Sequence, residues 1–73
     1  MKYKVGETVT IRSDLEIGTL NGGIDFVDGM KNTLGKIVTI KSVHRTHFTI
    51  KENIFGYSLN MIQPKINKLF KLL

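Results

Sequence analysis

The sequence predicts an all-β fold, a small β-barrel of four to five short strands in one domain. Residues 35–52 contain two runs rich in Val, Ile, Thr and Phe on either side of a polar break, a pattern typical of an antiparallel hairpin. The Val-Thr-Ile motif of residues 38–40 also occurs at 9–11, which predicts a further strand. Closing such strands into a barrel removes their unpaired edges. We therefore divide the chain into a barrel domain, 1–64, and a C-terminal segment, 65–73.

The first strand is expected at residues 8–12, where apolar and polar side chains alternate. Val9 and Ile11 share one face, and the other face carries Thr8, Thr10 and Arg12. Residues 13–23 follow neither the period of a strand nor that of a helix, and the Asn-Gly-Gly motif at their end marks a turn. We therefore predict a long irregular loop between this strand and the next element.

A short helix is predicted at about residues 26–34. Its apolar side chains lie four residues apart and form one stripe, which we assign to the core: Phe26, Met30 and Leu34. Asp25 is expected to cap the N-terminus, and Gly35 to take the left-handed conformation after the C-terminus. Gly29 lowers the helix propensity by about 1 kcal/mol relative to Ala, so tertiary packing must hold this helix in place.

In the central hairpin, alternation assigns each side chain to one of two faces. The core-facing set is Val38, Ile40, Ser42, Phe48 and Ile50. The outward-facing set is Thr39, Lys41, Val43, Thr49 and Lys51. One face of the hairpin is therefore suited to a core, and the other to water or a ligand.

Beyond the hairpin, we expect a second turn at residues 53–56 and a short strand at 57–60. A single helical turn at 61–63 precedes Pro64. Residues 65–73 change to a helical period and predict a basic amphipathic helix, whose apolar side is Ile66, Leu69, Phe70 and Leu73. Nine residues are too few for a stable isolated helix in water. This face must therefore pack on the barrel, a second copy, another protein or a membrane surface.

Charge is distributed unevenly along the chain. Residues 1–28 carry three basic and five acidic side chains, a net charge of −2, whereas residues 29–73 carry eight basic and one acidic, a net charge of +7. A basic half of this kind can attract phosphates or an acidic protein face, and it also keeps a small protein soluble. Charge alone therefore names no partner.

The composition excludes several classes of protein. The chain has no Cys, which excludes disulfides, thiolate metal sites and a thiol nucleophile. No apolar run approaches the roughly 20 residues of a membrane-spanning helix, and the first residues lack the apolar middle of a signal peptide. We therefore expect a cytoplasmic protein without a membrane span.

No residue pattern predicts catalysis or a cofactor. His44 and His47 lie at the hairpin turn, but a zinc site requires three or four ligands and only Glu52 is nearby, so we predict no metal site. The serines lack a strand-to-helix elbow and a base supplied by a motif: Ser13, Ser42 and Ser58. The acidic side chains before residue 29 show no catalytic pairing: Asp14, Glu16, Asp25 and Asp28. We predict that the chain is not an enzyme.

A Thr-x-basic pattern repeats on three predicted strands: Thr10 with Arg12, Thr39 with Lys41, and Thr49 with Lys51. Side chains two residues apart on a strand share a face, so the pattern predicts a band of hydroxyls and cations suited to a phosphate backbone. Base stacking also requires exposed aromatic side chains, and the core competes for Tyr3, Phe48, Phe55 and Tyr57. A nucleic-acid-binding barrel is therefore the alternative function.

The strand motifs also carry a family resemblance. The matching segments are Val-Gly-Glu-Thr-Val-Thr-Ile-Arg (5–12), Phe26 to Met30, Leu-Gly-Lys-Ile-Val-Thr-Ile (34–40), Phe-Thr-Ile-Lys-Glu (48–52) and Tyr57 to Ile62. Over about residues 3–62 the chain resembles small phage and prophage proteins of low-GC bacteria. Those proteins are similar in turn to the Src-homology-3-like barrels of the Mind-bomb repeat type. The family often has Trp followed by Thr where this chain has Tyr57 and Ser58.

The resemblance implies a phage-encoded accessory protein that occupies a host protein in the bacterial cytoplasm. The most specific function that the resemblance implies is that of an inhibitor of a defence nuclease, such as an anti-CRISPR protein. We therefore predict a non-enzymatic binding module with a host protein as partner. The expected contact residues are Arg12, Lys36, Lys41, Arg45, Lys51, Lys65, Lys68, Phe70 and Lys71. A third class, a homodimer joined through the apolar side of residues 65–73, stays open.

Overall fold

The structure, a computed structural model, describes residues 3–64. Along these residues the elements are β1 (Thr8–Thr10), β2 (Leu20–Asn21), β3 (Ile24–Asp25), a first 3₁₀ helix (Asp28–Thr33), β4 (Ile37–Val43), β5 (Phe48–Ile50), β6 (Gly56–Tyr57) and a second 3₁₀ helix (Leu59–Met61). The predicted all-β class is confirmed. The predicted helix at 65–73, with the contact residues Lys65, Lys68, Phe70 and Lys71, lies outside the described residues. No helix within residues 3–64 has the length and apolar character needed to cross a membrane.

The strands of residues 3–64 pair antiparallel in two groups. Four of them form a sheet in the order β1-β4-β5-β6, and β2 pairs with β3 in a separate hairpin. The predicted central hairpin is confirmed as β4 and β5, and the His44 amide closes its turn by donating to the His47 carbonyl at 2.8 Å. The two Val-Thr-Ile segments lie side by side, with Val9 opposite Val38.

After β6 the chain returns to the first strand. Ile11 and Ile62 form an antiparallel bridge, and the Gln63 amide donates to the Thr10 carbonyl at 2.8 Å. The β1 edge that does not face β4 is therefore covered by residues just beyond the second 3₁₀ helix. An edge covered in this way cannot pair with another chain.

One apolar cluster fills the space between the sheet, the β2–β3 hairpin and the 3₁₀ helices. Its buried members are Val9, Ile11, Leu15, Phe26, Met30, Val38, Ile40, Phe48, Ile50, Tyr57, Met61 and Ile62. The predicted core stripe is confirmed, because Phe26 and Met30 are buried and Leu34 is half-buried against the cluster. A domain of this size buries only about 60% of its unfolded surface, so each of these side chains carries a large share of the stability.

The predicted helix at about residues 26–34 is shorter and tighter than expected, a six-residue 3₁₀ helix. The prediction that Asp25 caps it is wrong. Asp25 belongs to β3, and the Phe26 amide donates to the Thr19 carbonyl at 2.9 Å, which keeps the backbone extended almost to the helix. The predicted left-handed conformation of Gly35 is confirmed by its φ of +71°.

The predicted irregular loop at residues 13–23 contains β2, and its Asn-Gly-Gly motif forms the predicted turn. Gly22 and Gly23 have φ values of +62° and +84°, as a two-residue hairpin turn of type I′ requires. Ser58 Oγ donates to the Asn21 carbonyl at 2.6 Å and fixes the hairpin to the rest of the domain. The flanking strands have two residues each, which is too short to show a period in the sequence.

The segment after β5 differs from the prediction only in its boundaries. The predicted turn at 53–56 is present, and Asn53 Oδ1 accepts the Phe55 amide within it at 2.9 Å. The predicted strand at 57–60 is shorter, because β6 ends at Tyr57 and the helical turn begins at Leu59.

Tyr57 has the largest of the fully buried side chains, and its hydroxyl lies in a polar network. The hydroxyl accepts Asn53 Nδ2 at 2.8 Å and lies 3.2 Å from Thr33 Oγ1. Because Thr33 Oγ1 donates its one proton to the Met30 carbonyl at 2.6 Å, the Tyr57 hydroxyl is the donor to Thr33. The Tyr57 ring stacks on Phe48, with 5.9 Å between the centroids. One side chain thus joins β6, the first 3₁₀ helix and the turn after β5.

Replacing Tyr57 with Phe should lower the free energy of unfolding by about 1–2 kcal/mol, because two hydrogen bonds of roughly 1 kcal/mol each are lost while the ring still fills the core. Chemical denaturation measures the difference. Thr33→Val removes one of the same bonds, so a double-mutant cycle should give a coupling energy above about 0.5 kcal/mol. Additive effects of the two substitutions would contradict the Tyr57–Thr33 bond.

Gly29 provides the space in which the Phe55 ring packs on the first 3₁₀ helix. A Cβ atom at Gly29 would lie 2.5 Å from Phe55 Cζ and 2.6 Å from Cε2. Phe55 is half-buried against the core cluster, so its ring cannot move away without losing that packing. The glycine that weakens the helix propensity is therefore required by a tertiary contact.

Helix propensity alone predicts that Gly29→Ala stabilises the protein by about 1 kcal/mol. The packing of Phe55 predicts the opposite sign, a loss of about 1 kcal/mol or more from overpacking. Denaturation of Gly29→Ala in the natural chain and in a Phe55→Ala background separates the two effects. The loss should occur only where the ring is present, and equal losses in both backgrounds would show that the ring is not the obstacle.

Candidate binding surface

The side of the sheet that faces away from the core carries polar and cationic side chains. Since Val9 and Val38 are buried opposite one another, their neighbours along β1 and β4 face outward. We call this side the outer face and define it by Thr8, Thr10, Ile37, Thr39, Lys41, Ser42, Thr49 and Lys51. Ile37 is its apolar member, and 70% of its surface is exposed.

A β-bulge in β4 decides which side chains reach the outer face. Ile40 pairs with Ile50 but Ser42 pairs with Thr49, so β4 has one extra residue at Lys41. The predicted face of Ser42 is therefore wrong: its Oγ lies 2.5 Å from Thr49 Oγ1 on the outer face. The predicted outward position of Val43 is also wrong, because the extra residue shifts the alternation and Val43 packs against the core.

The predicted contact cations fall into two groups. Lys41 and Lys51 lie on the outer face, and Arg45 lies at the tip of the hairpin beside it. Lys36 precedes β4 at the opposite end of that strand, about 16 Å from Lys41 at roughly 3.3 Å per residue. All four are exposed, and none forms an ion pair with another residue of the range 3–64.

Arg12, the fifth predicted cation of the barrel, is engaged within the domain. Its Nε and Nη2 donate to the two carboxylate oxygens of Asp14 at 2.9 and 2.8 Å, and its Nη1 donates to the Asn60 carbonyl at 2.9 Å. It lies near Lys36, whose carbonyl accepts the Ile11 amide at 3.0 Å. The guanidinium therefore holds β1 to the second 3₁₀ helix, and its main hydrogen-bonding directions are occupied.

The hydrogen bonds from Arg12 lower the pKa of Asp14 below its ordinary value of 3.8, and the charge of Arg12 adds to the effect. The contribution of this pair to stability is complete above that pH and is lost as the pH falls through the lower pKa of the folded state. An NMR titration should therefore find the Asp14 pKa below 3.8 and higher in Arg12→Gln. Lys31→Gln makes the same charge change but leaves the pair intact, so an equal rise there would contradict this cause.

A shallow cleft of about 290 Å³ lies beside the Arg12 guanidinium. Its lining residues are Arg12, Leu59, Asn60, Ile62 and Pro64. Among residues 3–64, every buried side-chain nitrogen and oxygen has a hydrogen-bond partner. The cleft therefore offers no buried polar group that a ligand would have to satisfy.

The structure brings together a serine and a histidine that the sequence did not connect. Ser42 Oγ lies 2.9 Å from His44 Nε2, the distance between a nucleophile and its base in an acyl-transfer site. The other neighbour of the His44 ring is the His47 ring, stacked with 4.5 Å between centroids and 12° between planes. A base of this kind also needs a third group that orients it, usually a carboxylate, and no described carboxylate bonds to His44. Among residues 3–64 the pair therefore lacks the third member of a Ser-His-carboxylate triad.

Neither a three-ligand metal centre nor an aromatic platform is present in the described part of the chain. No group of three or more His, Asp or Glu side chains in residues 3–64 is placed to hold a metal ion. The core takes up the aromatic side chains that base stacking would need. Phe26, Phe48 and Tyr57 are buried, and Tyr3 and Phe55 are half-buried. The groups that the outer face offers to a binding partner are therefore its hydroxyls and its cations without ion-pair partners.

No protein-family model, curated protein or solved structure matches the chain.

Proposed function

We propose that the chain is a non-enzymatic binding module, a Src-homology-3-like barrel whose outer face binds a host protein. The observation that carries the proposal is the group of exposed cations without ion-pair partners in residues 3–64, Lys41, Arg45 and Lys51, beside the outer-face hydroxyls. The hairpin that presents them is anchored to the core by the buried side chains of Ile40, Phe48 and Ile50. A preorganised surface loses less entropy on binding.

The strand order supports the barrel part of the proposal. The sheet runs β1-β4-β5-β6, and after the second 3₁₀ helix the chain returns to bridge β1 through Ile11 and Ile62. Ser58 bonds to the β2–β3 hairpin beside β6. These contacts leave few free strand edges in residues 3–64, as closure into a small barrel requires.

A protein partner fits the outer face better than a nucleic acid does. Ile37 exposes 70% of its surface between Thr10 and Thr39, which gives the face an apolar position with a polar rim, as in protein interfaces. Single-stranded nucleic acids need aromatic platforms, and the aromatic rings of residues 3–64 are at least half-buried. Nucleic-acid binding is the second candidate, because hydroxyls and lysines on one face also suit phosphate contacts.

The nature of the host protein follows from the resemblance to phage proteins. The resemblance implies a phage accessory protein that occupies a host protein, and its most specific form is the inhibition of an enzyme that attacks phage nucleic acid. We propose a defence nuclease, including a CRISPR nuclease, as the partner class. The outer face would contact acidic surfaces of the nuclease. The nucleic-acid channel of such an enzyme is cationic, and it would repel the cations of the outer face.

A pull-down from bacterial host lysate, with and without nuclease treatment, tests the proposal. One host protein should be recovered in fixed stoichiometry, and nuclease treatment should not remove it. Recovery of nucleic acid alone, lost on nuclease treatment and weakening steeply with salt, would refute the protein partner and favour the second candidate.

The outer-face cations should carry the binding, so Lys41→Glu with Lys51→Glu should reduce recovery of the partner at least tenfold. The matched control for each single substitution, Lys41→Glu or Lys51→Glu, is Lys31→Glu, which makes the same change in net charge on the first 3₁₀ helix, away from the outer face. Recovery should be retained in the control, and melting temperatures of all variants check the fold. Equal losses in the control and in the single substitutions would assign the effect to net charge, and no loss in any variant would exclude the outer face.

A third variant, Lys68→Glu with Lys71→Glu, tests the predicted contacts in the C-terminal segment. Loss of recovery in this variant alone would move the binding site from the sheet to residues 65–73.

A further inference from the structure

We propose that the C-terminal segment, residues 65–73, packs on the β2–β3 hairpin of its own chain. The inference does not depend on the proposed function. The hairpin exposes apolar side chains beside carboxylates that have no partner in residues 3–64, and the sequence of the segment combines apolar side chains with lysines. The two are therefore complementary in both apolar character and charge.

The β2–β3 hairpin exposes apolar side chains on the side that faces away from the core. Leu20 lies opposite Asp25 in the ladder, and alternation places both on the side opposite to Ile24, which packs against the core. Leu20 exposes 69% of its surface, and Ile17, in the turn before β2, exposes 54%. We call Glu16, Ile17, Leu20 and Asp25 the hairpin surface. Covering its apolar side chains removes them from water, which favours docking of another apolar segment.

The hairpin surface also carries the two carboxylates without a partner in residues 3–64, Glu16 and Asp25. Both are exposed, and neither forms an ion pair or a side-chain hydrogen bond within that range. The other four carboxylates of the range each bind a cation or a backbone amide: Glu7, Asp14, Asp28 and Glu52. Uncompensated negative charge beside apolar side chains attracts a segment that is both cationic and apolar.

The sequence of the C-terminal segment has this chemistry. It contains no acidic residue and three lysines, Lys65, Lys68 and Lys71. Its predicted helical period groups the large apolar side chains on one side: Ile66, Leu69, Phe70 and Leu73. Because so few residues do not form a stable isolated helix in water, the segment has to gain its stability from packing on a surface.

The residues that lead to the segment pass beside the hairpin. Ser58 Oγ donates to the Asn21 carbonyl at 2.6 Å, and a Cβ atom at Gly22 would lie 3.3 Å from Asn60 Cγ. Asn60 and Pro64 line the same cleft, so the segment begins close to the hairpin, and as a helix it would span about 14 Å. A segment attached so near a surface has an effective concentration there of roughly millimolar or above, which favours its own chain over a second copy.

The outer face suits the segment less well than the hairpin surface does. It carries Lys41 and Lys51, which are exposed and have no ion-pair partner in residues 3–64. The lysines of the segment would face like charges there. Docking on the hairpin surface therefore leaves the outer face open.

A nitroxide spin label in the segment tests where it packs. The chain has no Cys, so Leu72→Cys provides a single attachment site, and position 72 lies outside the predicted apolar side. In NMR spectra of the labelled full chain, the nitroxide should broaden the amide signals of Ile17, Leu20 and Asp25 more than those of the outer face. Mixing isotope-labelled chain without nitroxide and nitroxide-labelled chain without isotope should abolish this broadening. Equal broadening in the mixed sample would assign the contact to a second copy and overturn the proposal.

Leu20→Ser with Asp25→Asn should release the segment, so the broadening at Ile17 should disappear and trypsin should cleave after the lysines of the segment about tenfold faster. The matched control is Ile54→Ser with Glu52→Gln, which removes an exposed apolar side chain and one negative charge in the turn after β5. The control should keep both the broadening and the natural cleavage rate, and melting temperatures check that both variants fold. Broadening that is absent, centred on another surface or unchanged by the hairpin substitutions would contradict docking at this site.

Discussion

The buried hydroxyl of Tyr57 is the contact on which the arrangement of the other elements depends. The strand β6 has only two residues, so its ladder bonds to β5 are few. The Tyr57 side chain adds a bond to Thr33 on the first 3₁₀ helix and accepts one from Asn53 in the preceding turn. In a domain with so thin a core, a buried phenol without partners would cost a large part of the total stability. Polar pairing therefore positions these elements as much as apolar burial does.

The sequence was sufficient for the parts of the fold that have a long, regular pattern. The β4–β5 hairpin has ten strand residues with clear alternation, and its core positions Val38, Ile40, Phe48 and Ile50 are as predicted. The short elements could not be predicted in the same way. The period of a two-residue strand is not detectable, and the close packing of Phe55 on Gly29 within the 3₁₀ helix Asp28–Thr33 is a contact between distant residues that no local pattern reveals. Tertiary packing overrides local propensity at such positions.

For the candidate surface, too, some features could be predicted from the sequence and others could not. The repeated Thr-x-basic pattern predicted a band of cations, and two of its three cations, Lys41 and Lys51, are exposed. Which cations are unpaired depends on distant contacts: Arg12 is engaged because Asp14 lies two residues away and because the chain brings the Asn60 carbonyl back to β1. The first of these partners could have been found from the spacing in the sequence. The second could not, since it lies 48 residues away.

The bulge at Lys41 connects the core, the outer face and the hairpin tip. Without the extra residue, Ser42 would continue the inward alternation of Val38 and Ile40, and its hydroxyl would require a partner inside the core. With it, Val43 packs inward, while Ser42 turns outward to Thr49 and reaches His44. A bulge is a common means of re-aiming side chains next to a functional surface. The same backbone irregularity therefore decides both which side chains of β4 reach the outer face and how Ser42 meets His44 at the hairpin tip.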